Sequence, residues 1–343
     1  MICLNTLPAK FQPFLIGSPT CLCPADLKEK IDSLFIQGSA TQLKEHIFET
    51  KDWVLKLGRQ DGLLTTPDTH LYRVRKAEKI RTYVQQNHLE NAIAVPKKYL
   101  YWCEQENRFY VVAEKMALSK EVAAPKSQEM EAAFKGFYAT EAGQLAAGQI
   151  KALAENAPKR SLTPDQAKAL AELSILGYTD LTYNNLYFTQ DGKIAIIDTE
   201  PQKRALKKKK LSNFIDSFFM VDKGFLLSMQ SIAGIAKLKL YIDDQTALSN
   251  VEKVEKNHVL WRIAILITKI SIVALASRLV VSIIVARVPV PAVVRVLEVS
   301  LPIIASIKVG RLVNPAIDIY NLWDLSCRGD VSTIWAHENK ENF

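Results

Sequence analysis

The sequence predicts an α+β protein, with strands concentrated in its first third and helices in the remainder. Three observations carry that prediction. Short runs rich in β-branched and aromatic residues recur at residues 52–57, 99–103, 109–113, 186–188 and 194–197. Gln190–Asp191–Gly192–Lys193 separates the last two runs, and Asp-Gly between such runs is a strong hairpin signal. Thr163–Pro164 precedes apolar residues at Ala167, Leu170, Ala171 and 173–176, which supplies an N-cap, a first helical position and a buried face. The 343 residues, 48% hydrophobic and 23% charged, describe a globular chain rather than a disordered one. That length suffices for a two-part domain of about 200 to 250 residues with an appendage.

Taken in order, the N-terminal MICLNTLPAKFQPFLIG has no charged region ahead of its apolar residues, so no signal peptide is expected. Residues 35–41 read as a strand entering a small-residue turn, where the backbone of Gly38 and Ser39 could approach phosphate. Residues 52–57 read as a strand holding Lys56 among apolar neighbours. A lysine so placed is costly unless its ammonium is paired. Pro67 to His88 reads as a charged helix with Glu78 at its middle. Glu78 has two readings, a partner for Lys56 or a member of local ion pairs with the surrounding Arg and Lys. Two strands follow, at 99–103 and 109–113, and end at Glu114–Lys115–Met116. Residues 120–160 are rich in Ala, Glu, Lys and Gln and are expected to be helical apart from Pro125.

The densest chemistry lies in YTDLTYNNLYFTQDGKIAIIDTEP, from Tyr178 to Pro201. The hairpin brings the segment before Leu186 close to the segment after Ile197. Asn185 and Asp198 can therefore converge, and oxygen ligands few in number suit magnesium. Asp180 lies five residues before Asn185 in a polar loop able to fold over the same place. A carboxylate to orient a hydroxyl, with an amide and a second carboxylate for metal, is what phosphoryl transfer requires.

This segment resembles the catalytic and metal-binding loops of the protein kinase-like superfamily, and the aminoglycoside phosphotransferase and small-molecule kinase branch in particular. The family pattern is His-x-Asp-x-x-x-x-Asn, a hairpin, and an Asp at its far end. The resemblance covers roughly residues 30–205. It implies a bilobal fold with a β-rich N-lobe and a helical C-lobe, and ATP and magnesium as cofactors. By the same resemblance Asp180 is the catalytic aspartate, and Asn185 and Asp198 are metal ligands. Glu200 assists metal binding, Lys56 and Glu78 form the nucleotide-holding pair, Gly38 and Ser39 line the phosphate turn, and Glu114 to Met116 form the adenine hinge. Two departures stand out: Tyr178 replaces His, and Thr199–Glu200 replaces Phe-Gly. No Ala-Pro-Glu segment follows the metal loop, which points away from a conventional protein kinase.

Residues 202–210 carry six positive charges and supply most of the net charge of +8. They read either as a solvated loop or as a segment favouring an acidic acceptor. The run lacks interleaved aromatics, so no specific nucleic-acid partner is expected. From 260 to 309 the chain is almost continuously apolar, interrupted by spaced cations. Residues 263–286 are long enough to cross a bilayer, although Lys269 and Arg278 fall on opposite helix faces. Val288 to Pro291 would turn the chain into a return helix at 292–309. Membrane contact through 260–309 and packing on the C-lobe are the two readings. The five scattered cysteines, at 3, 21, 23, 103 and 327, suggest no disulfide framework and a reducing, cytoplasmic setting, with or without membrane association. Cys21 and Cys23 lack the further ligands that zinc requires.

The expected organisation is an N-terminal extension (1–29), an N-lobe (30–116), a C-lobe (117–255), a hydrophobic helical hairpin (256–325) and a polar tail (326–343). Two functions fit it. One is an ATP- and magnesium-dependent phosphotransferase acting on an unknown hydroxyl acceptor. The other is a kinase-like binding or scaffold protein, membrane-tethered and without turnover.

Overall fold

The computed structural model describes residues 22–36, 41–44, 47–56, 67–103, 108–123, 159–178, 181, 185–199 and 223–285. Among these residues the fold is mixed α+β, with two five-stranded sheets and five α-helices. In chain order they are α1 (Ala25–Ile36), β1 (Thr41–Lys44), β2 (Ile47–Glu49), β3 (Trp53–Lys56), α2 (Pro67–Gln86), β4 (Ile93–Ala94), β5 (Lys98–Cys103), β6 (Arg108–Glu114) and β7 (Leu118–Ala123). There follow β8 (Lys159–Arg160), α3 (Pro164–Ile175), β9 (Tyr187–Thr189), β10 (Ile194–Ala195), α4 (Lys223–Leu238) and α5 (Gln245–Val285).

The first sheet has the order β1-β2-β3-β6-β5 and is antiparallel throughout. Its residues alternate between two covered faces, as the pleat requires. Leu100, Phe109 and Val111 pack with Leu71 and Val74 of α2. Tyr101, Cys103, Tyr110 and Val112 pack with Cys23, Leu27 and Ile31 at the start of the chain and in α1. Leu22 bridges Leu100, and the Cys23 N–H donates to the Leu100 carbonyl at 3.0 Å. The Tyr101 hydroxyl donates to the Asp32 carboxylate in a short hydrogen bond. Helix α1 therefore closes a sheet face that would otherwise be wet. This corrects one expectation: Phe35 and Ile36 belong to a helix, not to a strand leading into the turn.

The second sheet has the order β4-β10-β9-β7-β8, with β4 parallel to β10 and β7 parallel to β8. Residues 120–123 are thus strand rather than helix, because β7 pairs with β9 and buries Val122 and Ala123; residues 124–158 lie outside the described part. The largest core lies between this sheet and the helices. It joins Ile80 and Val84 of α2, Leu170 and Leu173 of α3, Phe188 and Ile194 of the sheet, Ile235 of α4 and Val251 of α5.

Helix α3 shows how closely local sequence dictates the fold. Thr163 caps it by accepting from the Gln166 N–H, and the Gln166 side chain accepts from the Thr163 N–H, a complete capping box. It ends on Gly177, whose φ of 105° is left-handed. The Gly177 N–H donates to Ser174 O at 3.1 Å and the Tyr178 N–H to Leu173 O at 3.0 Å, the two bonds of a Schellman ending. Helix α5 runs 41 residues without a break. Its first half enters the core through Ala247 and Val251. Farther along, Leu260, Trp261, Ile263, Leu266, Ile267, Ile272, Leu275 and Leu279 are exposed. Among the described residues no helix is long and apolar enough to cross a membrane, which gives no support to bilayer crossing among the readings of 260–309. Lys269 and Arg278 interrupt that stretch. The turn at 288–291 and the return helix at 292–309 lie outside the described residues, as does the basic run.

Two outcomes follow. Gly177→Ala places a Cβ in a left-handed conformation and should destabilise the protein by about 1–2 kcal/mol in urea unfolding; an unchanged midpoint would contradict the Schellman ending. His70 is 1% exposed, and burial, aided by the Arg73 charge, pushes its pKa down to about 3. His258 is pushed down to about 4 by burial and by Arg262. Unfolded histidine titrates near 6.5, so below that pH the unfolded chain binds protons that the native fold does not. Stability is full above about pH 6.5 and falls on acidification towards the folded pKa values. His70→Gln should shrink the loss between pH 7 and pH 5 by about 2 kcal/mol, read from urea midpoints at the two pH values.

Candidate active site

The β9–β10 hairpin forms where the sequence predicts it. The Thr189 N–H donates to Lys193 O at 2.8 Å and the Gly192 N–H to Thr189 O at 2.9 Å. Gly192 has φ +83°, and a Cβ there would lie 3.1 Å from the Arg160 guanidinium. That guanidinium stacks over the Phe188 ring at 4.9 Å, and the Gln166 amide of α3 donates to Gly192 O at 2.8 Å. The tip is thus gripped by β8 and α3. Asn185 and Asp198 stand at the opposite, open end, just before β9 and just after β10.

Lys56 comes from the first sheet. It ends β3, opposite Ile47 on β2 and Val111 on β6. Its ammonium lies 3.6 Å from Asp198 Oδ2, with the two side chains 34% and 29% exposed. Lysine and carboxylate are therefore brought together from different sheets, and both remain reachable from solvent. Among the described residues this is the ion pair of Lys56.

Two short connections cross between the sheets, residues 95–97 and residues 115–117. Glu114 closes β6; its N–H donates to Lys97 O at 2.9 Å and its carboxylate accepts from the Lys97 N–H at 3.4 Å. The Lys115 N–H donates to Asp52 O at 2.8 Å, and half-buried Met116 lies within the crossing. The expected hinge is thus a true connector between sheets. Glu78 sits half-buried on α2, seven residues after Leu71 and four after Val74, on the stripe that meets the first sheet. Gly38, Ser39, Asp180 and Glu200 lie outside the described residues.

Helix α2 also grips both segments that frame the site, which the sequence reading did not anticipate. The Lys76 ammonium donates to Gly177 O at 2.9 Å, just ahead of buried Tyr178. The Thr199 hydroxyl donates to Arg73 O at 2.8 Å. Lys98, at the start of β5, donates to Ile197 O and to Thr199 Oγ1, both at 2.9 Å. The signal for Lys98 was available: like Lys56, it is a lysine in an apolar strand, KYLYWC.

The Asp198 carboxylate lies beside half-exposed Lys56, and Asn185 stands at the same end of the hairpin; hard oxygen atoms of this kind suit magnesium carried on a nucleotide phosphate. Among the described residues no three His, Cys, Asp or Glu side chains gather as a metal cluster, so a metal here would need the phosphate and water to complete its shell. No family model, curated protein or solved structure matches this chain.

Proposed function

We propose that the protein is an ATP- and magnesium-dependent phosphotransferase of bilobal kinase-like fold that acts on a hydroxyl acceptor. The observation that carries the proposal is the meeting of Lys56 and Asp198, 3.6 Å apart, from two separate sheets. A fold maintained by packing alone has no use for a half-exposed pair drawn from distant segments, since such pairs add little stability. The sheet order β1-β2-β3-β6-β5, with α2 between the lysine strand and the next hairpin, supports the same reading.

In this reading Lys56 holds nucleotide phosphates, and residues 114–116 present backbone to the adenine. Asp198 and Asn185, with Glu200, would hold magnesium, which when bound offsets phosphate charge. Asp180 accepts the hydrogen bond of the acceptor hydroxyl and orients its oxygen. As the new P–O bond forms, the terminal phosphoryl group leaves ADP and the hydroxyl proton passes to the Asp180 carboxylate. The basic run at 202–210 would favour an acidic acceptor.

The reading is tested by thermal shift on the full chain with ATP, with and without magnesium. A ligand bound only by the native state, at about 100 times its Kd, stabilises by about 2.7 kcal/mol. Asp198→Ala should lose the magnesium-dependent part and keep its own melting temperature, whereas Asp180→Ala should keep both. An Asp198→Ala protein stabilised as strongly as wild type would remove the metal assignment.

The exposed apolar residues of α5 favour a second reading, a kinase-like scaffold tethered to a membrane surface. Between Glu255 and Val285 the helix carries no acidic residue, while Lys256, Arg262, Lys269 and Arg278 are basic, which suits an anionic lipid surface. The full chain should co-sediment with vesicles of anionic phospholipid, and Leu275→Glu/Leu279→Glu should reduce the bound fraction several-fold. Equal sedimentation of the double variant would exclude this face as the contact.

A further inference from the structure

A buried lysine needs an account, because its ammonium loses water on folding. Lys98 is 9% exposed. It reaches this position through the parallel pairing of β4 and β10, which sets Ile93 beside Ile194 and Ala94 beside Ala195. The same offset of 101 residues continues past the strand ends and brings Lys98 to Thr199. The ammonium then donates to Ile197 O and to Thr199 Oγ1, one residue on either side of Asp198.

The direction of every bond in this group is forced. An ammonium can only donate, so the Thr199 oxygen accepts from it. A carbonyl can only accept, so the Thr199 hydroxyl proton must point at Arg73 O, 2.8 Å away on α2. The chain Lys98, Thr199, Arg73 has one arrangement of protons. One helical step further, Lys76 holds Gly177 O from the same helix. Thr199 is also where the sequence departs from the kinase-like pattern, which has an apolar Phe after the metal aspartate.

We propose that Lys98 and Thr199 are positioning residues for Asp198. They replace an apolar anchor by a polar one, and hold the carboxylate where magnesium on the nucleotide meets it. This inference rests on the phosphotransferase reading above. Neither residue is assigned contact with nucleotide; each acts through the backbone that carries Asp198.

The test is isothermal titration of the full chain with ATP in EDTA and with magnesium-ATP. The variants are Lys98→Met, Thr199→Val, Thr199→Ser and Asp198→Ala. Lys98→Met keeps the length of the side chain and removes a buried charge, so its melting temperature should not collapse. Lys98→Met and Thr199→Val should bind magnesium-ATP roughly tenfold more weakly, the loss expected for one charge-assisted hydrogen bond. Their affinity for ATP without metal should match wild type, and Thr199→Ser should restore the magnesium-dependent part. Hydrogen exchange at residues 196–199 should quicken in Lys98→Met. Wild-type affinity for magnesium-ATP in Lys98→Met and Thr199→Val, with Asp198→Ala defective, would overturn the proposal. An equal loss with and without metal would overturn it too, since that is the mark of a general structural role. Absence of magnesium-dependent binding in wild type would instead remove the phosphotransferase reading, and the role of Lys98 with it.

Discussion

Helix α2 is seated by apolar side chains on one sheet and by polar bonds on segments leading to and from the other. Leu71 and Val74 are buried against Leu100, Phe109 and Val111 of the first sheet, while Ile80 and Val84 lie in the core built on the second. One turn of the same helix supplies Arg73 O to Thr199 and the Lys76 ammonium to Gly177 O. Those partners flank the two stretches that carry Asp198 and Asp180 in sequence. A displacement of α2 would therefore move packing and both loop anchors at once. Close-packed interiors resist such displacements, so the helix ties Gly177 and Thr199 to the order of the two cores.

The polar bonds add direction to that order. Apolar contact holds α2 against a sheet without specifying the azimuth of a carboxylate several residues away. Hydrogen bonds from Lys98 to Ile197 O and Thr199 Oγ1 constrain the backbone from which Asp198 projects, because each has a narrow range of distance and angle. The Schellman ending at Gly177 works similarly on the other loop: it fixes where α3 stops and hence where Tyr178 enters the core. Terminations and buried polar groups, more than the bulk of the core, fix where the chain leaves α3 and β10.

Much of the local architecture was legible in the sequence. The helix expected from Pro67 to His88 spans Pro67–Gln86, the strands at 99–103 and 109–113 are found at Lys98–Cys103 and Arg108–Glu114, and Thr163 caps α3. These elements declare themselves through periodicity, turns and caps, all local signals. Three features did not. Phe35–Ile36 looks strand-like by residue type but falls in α1, a helix whose Leu27 and Ile31 cover a sheet face that only the assembled fold presents. Residues 120–123 have helix-favouring composition and are drawn into β7 by pairing with β9. Lys98 acquires its partners 99 and 101 residues away, across a parallel register that no local pattern encodes. At the candidate site, Lys56 was readable as a lysine in an apolar strand, Asn185 and Asp198 as the two ends of a hairpin, and 114–116 as the segment that follows two strands. The anchors behind them were not singled out: Lys98 signals only that it needs a partner, and its partners lie across the register of β4 and β10.

The two strand lysines show how one physical cost yields different roles. Both stand at the end of an apolar strand, Lys56 closing β3 and Lys98 opening β5, and both need a partner for the ammonium. Lys98 is buried and donates to oxygen atoms fixed by the backbone and by Thr199. Exchanging those partners would mean opening the core, so its contribution is geometric and permanent. Lys56 faces a carboxylate at 3.6 Å, and both groups are about one-third exposed. Water screens such a pair and leaves it worth little for stability, and the proposed function uses that solvent access for an anionic ligand to insert between or beside the two charges. A phosphate there would gain the lysine directly, and a cation accompanying it would gain the aspartate. In the proposed reading, the pair weak enough to be opened is the one suited to binding, and the buried lysine would keep its aspartate in place when the pair opens.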